Sequence, residues 1–218
     1  MTPKNLSLQH IIKTPEVTAE KAPLLLMLHG YGSDENDLFS FAGELSKELF
    51  IVSARAPLAM QPYGNAWYEI YYDGNGKFNN DEQAVASRDL IVKFIDELIA
   101  EYPVDSANVT LLGFSQGSIL SYAVALSYPE KVKNIIALSG YISKDMIVPG
   151  YENNDFNHLA VYASHGSVDQ VIPVAWAREV KPFLDGLNIK NRYSEFPVGH
   201  GVSPQNFFEL KDWLEKRM

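Results

Sequence analysis

The sequence predicts an α/β protein: a mostly parallel central sheet with helices on both faces. Two observations carry this. Short apolar runs alternate with longer segments whose apolar residues recur at helical spacing, so strands and helices take turns along the chain. The run at 23–28, Pro-Leu-Leu-Leu-Met-Leu, is continuous rather than alternating, the mark of a strand buried on both faces. At 218 residues the chain is long enough for one domain, 1–218, with a sizeable core. No internal repeat, low-complexity tract or linker divides it.

In order, residues 6–14 read as a first strand at a sheet edge. The strand at 23–28 ends in His29-Gly30-Tyr31-Gly32, a glycine-rich loop past a strand's carboxyl end, where parallel sheets place their ligands. Residues 34–49 read as a helix through Leu38, Phe41, Ala42, Leu45 and Leu49, and 50–53 as a strand. Residues 54–80 are loop-rich, with Pro57, Pro62, Gly64, Gly74 and Gly76. They are also aromatic-rich, with Tyr63, Trp67, Tyr68, Tyr71, Tyr72 and Phe78. A long irregular segment rich in aromatics reads either as part of a functional site or as a hydrophobic cover over the sheet. Residues 81–101 form a long helix. Strands follow at 109–114, 132–138, 159–163 and 191–196. Helices follow at 119–128, ended by Pro129, at 173–187, opened by Pro173, and at 204–216.

The strand at 109–114 runs into Gly113-Phe114-Ser115-Gln116-Gly117 and then a helix. Strand, G-x-S-x-G turn and helix are the context of a nucleophile elbow, which holds a serine in a strained turn with its hydroxyl exposed. Such a serine needs a base, and the base an orienting acid. In hydrolases built this way the chain order is Ser, then Asp or Glu, then His. His158 starts a strand and His165 precedes every favoured acid, so both are set aside. His200, between Gly199 and Gly201, lies in the loop after the last strand and is the expected base. Asp169, in the loop before Pro173, is the expected acid; its alternative is a simple helix cap. The backbone N–H of Gln116 supplies one oxyanion donor, and the 29–32 loop is the candidate for the other. His29 has no second metal ligand at useful spacing and reads as support for that loop.

At these residues the chain resembles the phospholipase/carboxylesterase family of small serine hydrolases, which includes acyl-protein thioesterases. The resemblance rests on His29-Gly30-Tyr31-Gly32, Ala66-Trp67-Tyr68, Gly113 to Gly117, Gly166-Ser167-Val168-Asp169 with Pro173, and Gly199-His200 with Ser203-Pro204. It implies an α/β-hydrolase fold and the triad Ser115, Asp169 and His200. It adds the Tyr31 N–H as the second oxyanion donor, and Trp67 bordering the acyl site. The segment around Trp67, with Tyr63, Tyr68 and Tyr31, is the expected aromatic wall of that site. Two residues depart from the family pattern: Tyr31 stands where Leu is usual, and Ser118 where Gly is usual.

Composition narrows the partners. The formal net charge is −9, which disfavours nucleic acid and anionic membranes. The absence of cysteine removes thiolate nucleophiles and zinc–thiolate sites. The N-terminal segment has no signal-peptide core, and the apolar run at 24–28 is too short to span a bilayer, so a cytoplasmic protein without stable membrane insertion is expected. The expected partner is a small-molecule ester or acylated substrate, with a homodimer left open; no metal or organic cofactor is required. The activity so implied is a serine carboxylesterase for short to medium acyl chains. The alternatives are an acyl-protein thioesterase or lysophospholipase and, from another class, an inactive hydrolase fold used as a binding module.

Overall fold

The apolar run after Lys21 becomes an interior strand whose side chains divide between two cores. A computed structural model of the chain describes residues 1–17, 19–73 and 76–218. Gly74 lies outside the described residues, as do the side chains of Tyr72 and Phe78.

The strands in chain order are β1 (His10–Lys13), β2 (Ala22–Leu28), β3 (Phe50–Ala54), β4 (Leu58–Ala59), β5 (Asn65–Ala66), β6 (Ile70–Asp73), β7 (Gly76–Asn79), β8 (Val104–Phe114), β9 (Asn134–Leu138), β10 (Ala160–Gly166) and β11 (Lys190–Phe196). The α-helices are α1 (Asn36–Phe39), α2 (Asp81–Glu101), α3 (Gln116–Ser127), α4 (Val174–Arg178), α5 (Val180–Gly186) and α6 (Pro204–Glu215). The main sheet has the order β1-β3-β2-β8-β9-β10-β11. Only β1, at the edge, is antiparallel.

Strand alternation sorts the core. Leu24, Leu26 and Leu28 face one layer with Ile95 of α2, Leu120 of α3 and Leu184 of α5. Leu25 and Met27 face the other with Leu38 of α1 and Leu210 and Trp213 of α6. Successive side chains of a strand point to opposite faces, so one unbroken apolar run feeds both layers. From β2 the chain moves to β3 on one side and returns through β8 on the other. The carboxyl ends of β2 and β8 therefore flank a topological switch point, where open α/β sheets bind ligands.

Three stretches differ from the sequence reading. Residues 34–49 hold only the single turn α1, continued by turns that close three residues back, such as Ser40 N–H to Asp37 O and Phe41 N–H to Leu38 O. The Ser40 hydroxyl also donates to Asp37 O, and Gly43 follows; both weaken a regular helix. The apolar spacing was real, since Leu38, Ala42, Leu45 and Leu49 are buried. The helix at 173–187 is two, α4 and α5. Pro182 has no N–H to give Arg178 O, and its ring collides with that carbonyl in a continuous helix. The segment 54–80 carries two small hairpins, β4–β5 and β6–β7.

Candidate active site

Ser115 sits between β8 and α3 at φ 53°, ψ −115°, a backbone conformation that L-residues avoid. The flanking glycines make the turn geometrically feasible. A Cβ on Gly113 would lie 2.3 Å from Gly117 O, and one on Gly117 would lie 1.9 Å from Leu28 O. Strand, elbow and β2 thus touch backbone to backbone. The Ser115 N–H is tied to Leu138 O at 2.9 Å.

His200 Nε2 lies 3.0 Å from Ser115 Oγ, and His200 Nδ1 lies 2.7 Å from Asp169 Oδ2. Facing the carboxylate, Nδ1 carries the proton, so Nε2 presents a lone pair to the serine hydroxyl. The other oxygen, Asp169 Oδ1, accepts the backbone N–H groups of Val171 at 2.8 Å and Ile172 at 3.0 Å. Burial raises the Asp169 pKa, but the hydrogen bonds from His200, Ile172 and Val171 outweigh it and hold the carboxyl below its ordinary value. The loops carrying Asp169 and His200 meet at Gly166, where a Cβ would lie 2.0 Å from Gly199 O. Only a glycine at the end of β10 permits that approach.

The 29–35 loop is fixed from three sides. His29 is buried; its Nδ1 donates to Gly30 O at 2.7 Å and its Nε2 accepts the Ala56 N–H at 3.0 Å. The β4–β5 hairpin clamps the loop through Gly32 N–H to Asn65 O, 2.9 Å, and Asn65 N–H to Ser33 O, 2.7 Å. Behind it, Arg55 makes a two-pronged ion pair with the buried carboxylate of Glu35. Among the described residues, the N–H groups of Tyr31 and Gln116 have no protein acceptor.

His29 also sets a pH dependence. Burial lowers its pKa, and an imidazolium there loses the acceptor that Ala56 needs. The unfolded chain takes up this proton below pH about 6.5, while the folded chain resists it. This stability is present above that pH and is lost as pH falls from there toward the folded-state pKa. Urea unfolding at pH 7.0 and 5.5 should show a loss of up to about 1.4 kcal/mol per pH unit from this one group. His29→Gln should show a shallower slope; an unchanged slope would remove His29 as the cause.

Trp67 and Tyr68 require a correction. Both are buried, at 0% and 1% exposure, so neither walls an open pocket. The Trp67 indole N–H and main-chain groups of both residues are bonded inward. Trp67 Nε1 donates to His29 O at 3.0 Å, and the Gln116 side chain accepts the Trp67 N–H at 3.1 Å and donates to Tyr68 O at 2.8 Å. The pair braces the 29–32 loop against the elbow. In this structure both rings fill the core, the arrangement of the cover alternative for this part of the segment. Tyr63 is 81% exposed. Tyr31 does line the cavity at Ser115 and His200, which measures about 240 Å³; Gly30, Ile70, Phe114, Val171 and Asp37 complete most of its wall.

Several of these residues escaped the sequence reading. Val171 and Ile172 follow Asp169 by two and three residues, the spacing at which an Asp side chain accepts backbone N–H groups, so that signal was present. Ile70 sits on β6 with no motif to mark it. His165, set aside on chain order, lies 3.2 Å from Asp169 Oδ2. His158 instead bonds Pro129 O at 2.8 Å, away from the site. The departure at Ser118 is matched by Gly140, where a Cβ would lie 2.3 Å from the Ser118 hydroxyl.

Sheet order, elbow and the placement of the site at the strand ends define an α/β-hydrolase fold. The pattern that describes the Phospholipase/Carboxylesterase family matches residues 10–218, and the chain belongs to that family. It is 23% identical to acyl-protein thioesterase 1 of Debaryomyces hansenii, over 95% of this chain and 98% of that protein. It is 28% identical to a probable carboxylesterase of Arabidopsis thaliana, over 53% of this chain and only 44% of that one. Among solved structures, an esterase designated PE8 matches with a TM-score of 0.82 at 25% identity, covering 98% of this chain and 100% of that one. The Bacillus cereus carboxylesterase matches with a TM-score of 0.85 at 20% identity, over 98% and 96% of the two chains. Among the described residues no helix is long and apolar enough to cross a membrane.

Proposed function

We infer that this chain hydrolyses carboxylic esters of short to medium acyl chains through an acyl-enzyme on Ser115. The observation that carries the reading is the continuous relay from Ser115 Oγ to His200 to Asp169, at 3.0 and 2.7 Å, on a strained elbow. In this reading His200 Nε2 takes the hydroxyl proton as Ser115 attacks the carbonyl carbon. The N–H groups of Tyr31 and Gln116 receive the oxyanion, and His200 returns the proton to the leaving alcohol. Water then repeats the sequence to release the acid. Asp169 holds the His200 tautomer throughout.

The cavity supports the acyl limit. Its volume, about 240 Å³, falls below the roughly 300–1,000 Å³ of pockets that enclose drug-sized ligands. Its wall is apolar at Ile70, Phe114 and Val171, and Asp37 at the rim disfavours an anionic acyl chain. A thioesterase reading draws support from relatives named acyl-protein thioesterase.

The test is kcat/KM across ester and thioester series graded from acetyl to dodecanoyl. Each fully buried methylene contributes about 0.8 kcal/mol, or about fourfold, so specificity should climb to butanoyl or hexanoyl and then flatten. Esters should exceed thioesters of equal length; the reverse order makes the protein a thioesterase. Ile70→Ala should flatten the chain-length preference while leaving acetyl esters comparatively untouched. If it scales all substrates down equally, the acyl chain lies elsewhere.

A further inference from the structure

His165 is a buried histidine that the relay does not use directly, and its surroundings assign its protonation. Its side chain has no exposed area. Nε2 lies 2.9 Å from Ile172 O, in hydrogen-bonding geometry, and 3.2 Å from Asp169 Oδ2. Both neighbours are acceptors, so Nε2 carries the hydrogen and donates it to Ile172 O, with its positive end beside the carboxylate. Nδ1 is buried and has no partner among the described residues. An orphaned polar atom destabilises a core, and Leu or Phe would fill this space without it. Whatever the imidazole contributes, it contributes through Nε2–H.

That hydrogen acts on the residue that holds the acid. Ile172 donates its own N–H to Asp169 Oδ1 at 3.0 Å, and Val171 donates beside it at 2.8 Å. With its carbonyl held by His165 Nε2 and its N–H by Asp169 Oδ1, Ile172 closes the segment 165–172 on itself. Oδ1 is engaged by backbone, and Oδ2 lies between His200 Nδ1 at 2.7 Å and His165 Nε2 at 3.2 Å.

We propose that His165 is a positioning residue: through its Nε2–H it fixes the Asp169 cradle, and so the aim of Oδ2 at His200. The proposal rests on the esterase reading, in which Asp169 orients the base. His165 touches neither substrate nor the reacting atoms.

Two variants test it. His165→Leu keeps the volume and removes the donor; His165→Gln keeps an amide N–H within reach of the Nε2 position. With Ser115 still labelled by a fluorophosphonate, His165→Leu should lose about 10- to 100-fold in kcat with KM held within about twofold, since small misplacements of a catalytic group cost this much. The downfield proton resonance of the His200–Asp169 hydrogen bond should broaden or move upfield. His165→Gln should restore kcat and the resonance. Wild-type kcat in His165→Leu would overturn the proposal, as would equal impairment of the two variants. The unaltered protein supplies a test that needs no variant: ¹⁵N shifts of the His165 ring should show Nε2 protonated, and a tautomer with Nε2 bare overturns the proposal. Failure of wild-type Ser115 to react with the probe would strike the esterase reading instead.

Discussion

Ser115→Ala should fold as the wild type does and lose about a million-fold in kcat, on the scale of nucleophile deletions in other serine hydrolases. The substitution removes one oxygen from a residue that is 9% exposed. The main-chain ties of the elbow, Ser115 N–H to Leu138 O and Ile119 N–H to Ser115 O, do not involve that oxygen. His200→Ala should fall to a similar level, because without it no group accepts the serine proton; the double variant should be little worse than either single one, as for residues acting as a unit. Kinetics on a hexanoyl ester, alongside thermal unfolding, check this. Additive losses in the double variant would mean that the two act independently.

Asp169→Asn should cost on the order of ten-thousand-fold in kcat, by analogy with the same change in a serine protease. The geometry says why. Val171 and Ile172 donate to Oδ1, so the Asn carbonyl oxygen must stay there. The amide NH₂ then takes the place of Oδ2 and faces His200 Nδ1, which must shed its hydrogen to accept. The His200 proton moves to Nε2, facing Ser115 Oγ, and the base can no longer take the serine proton. A loss of only tenfold would mean that another group orients His200.

How much of this was legible in the sequence varies by the physics involved. The interior strands could be read because a strand buried on both faces has no polar positions to confuse it, as in residues 23–28. The helix at 81–101 matched to the residue, being long, periodic and capped by Asn80, whose side chain accepts the Gln83 N–H at 3.1 Å. Residues 34–49 misled because helical spacing of apolar residues records only which side chains are buried; a string of turns buries the same set. Trp67 misled because large aromatics near a site suit a pocket wall and a brace equally well, and the choice depends on the hydrogen bond from its indole to His29 O. His165 was hidden by chain order, since a residue four before Asp169 meets it only once the loop folds back through Ile172.

Covalent labelling tests most directly whether Ser115 is the nucleophile. The native protein treated with a fluorophosphonate and digested should carry one adduct per chain, on the peptide containing Ser115, with hydrolysis of esters lost in proportion to labelling. His200→Ala, folded but lacking the base, should resist the reagent. An adduct on any other serine, or an unlabelled protein that still hydrolyses esters, would contradict the account.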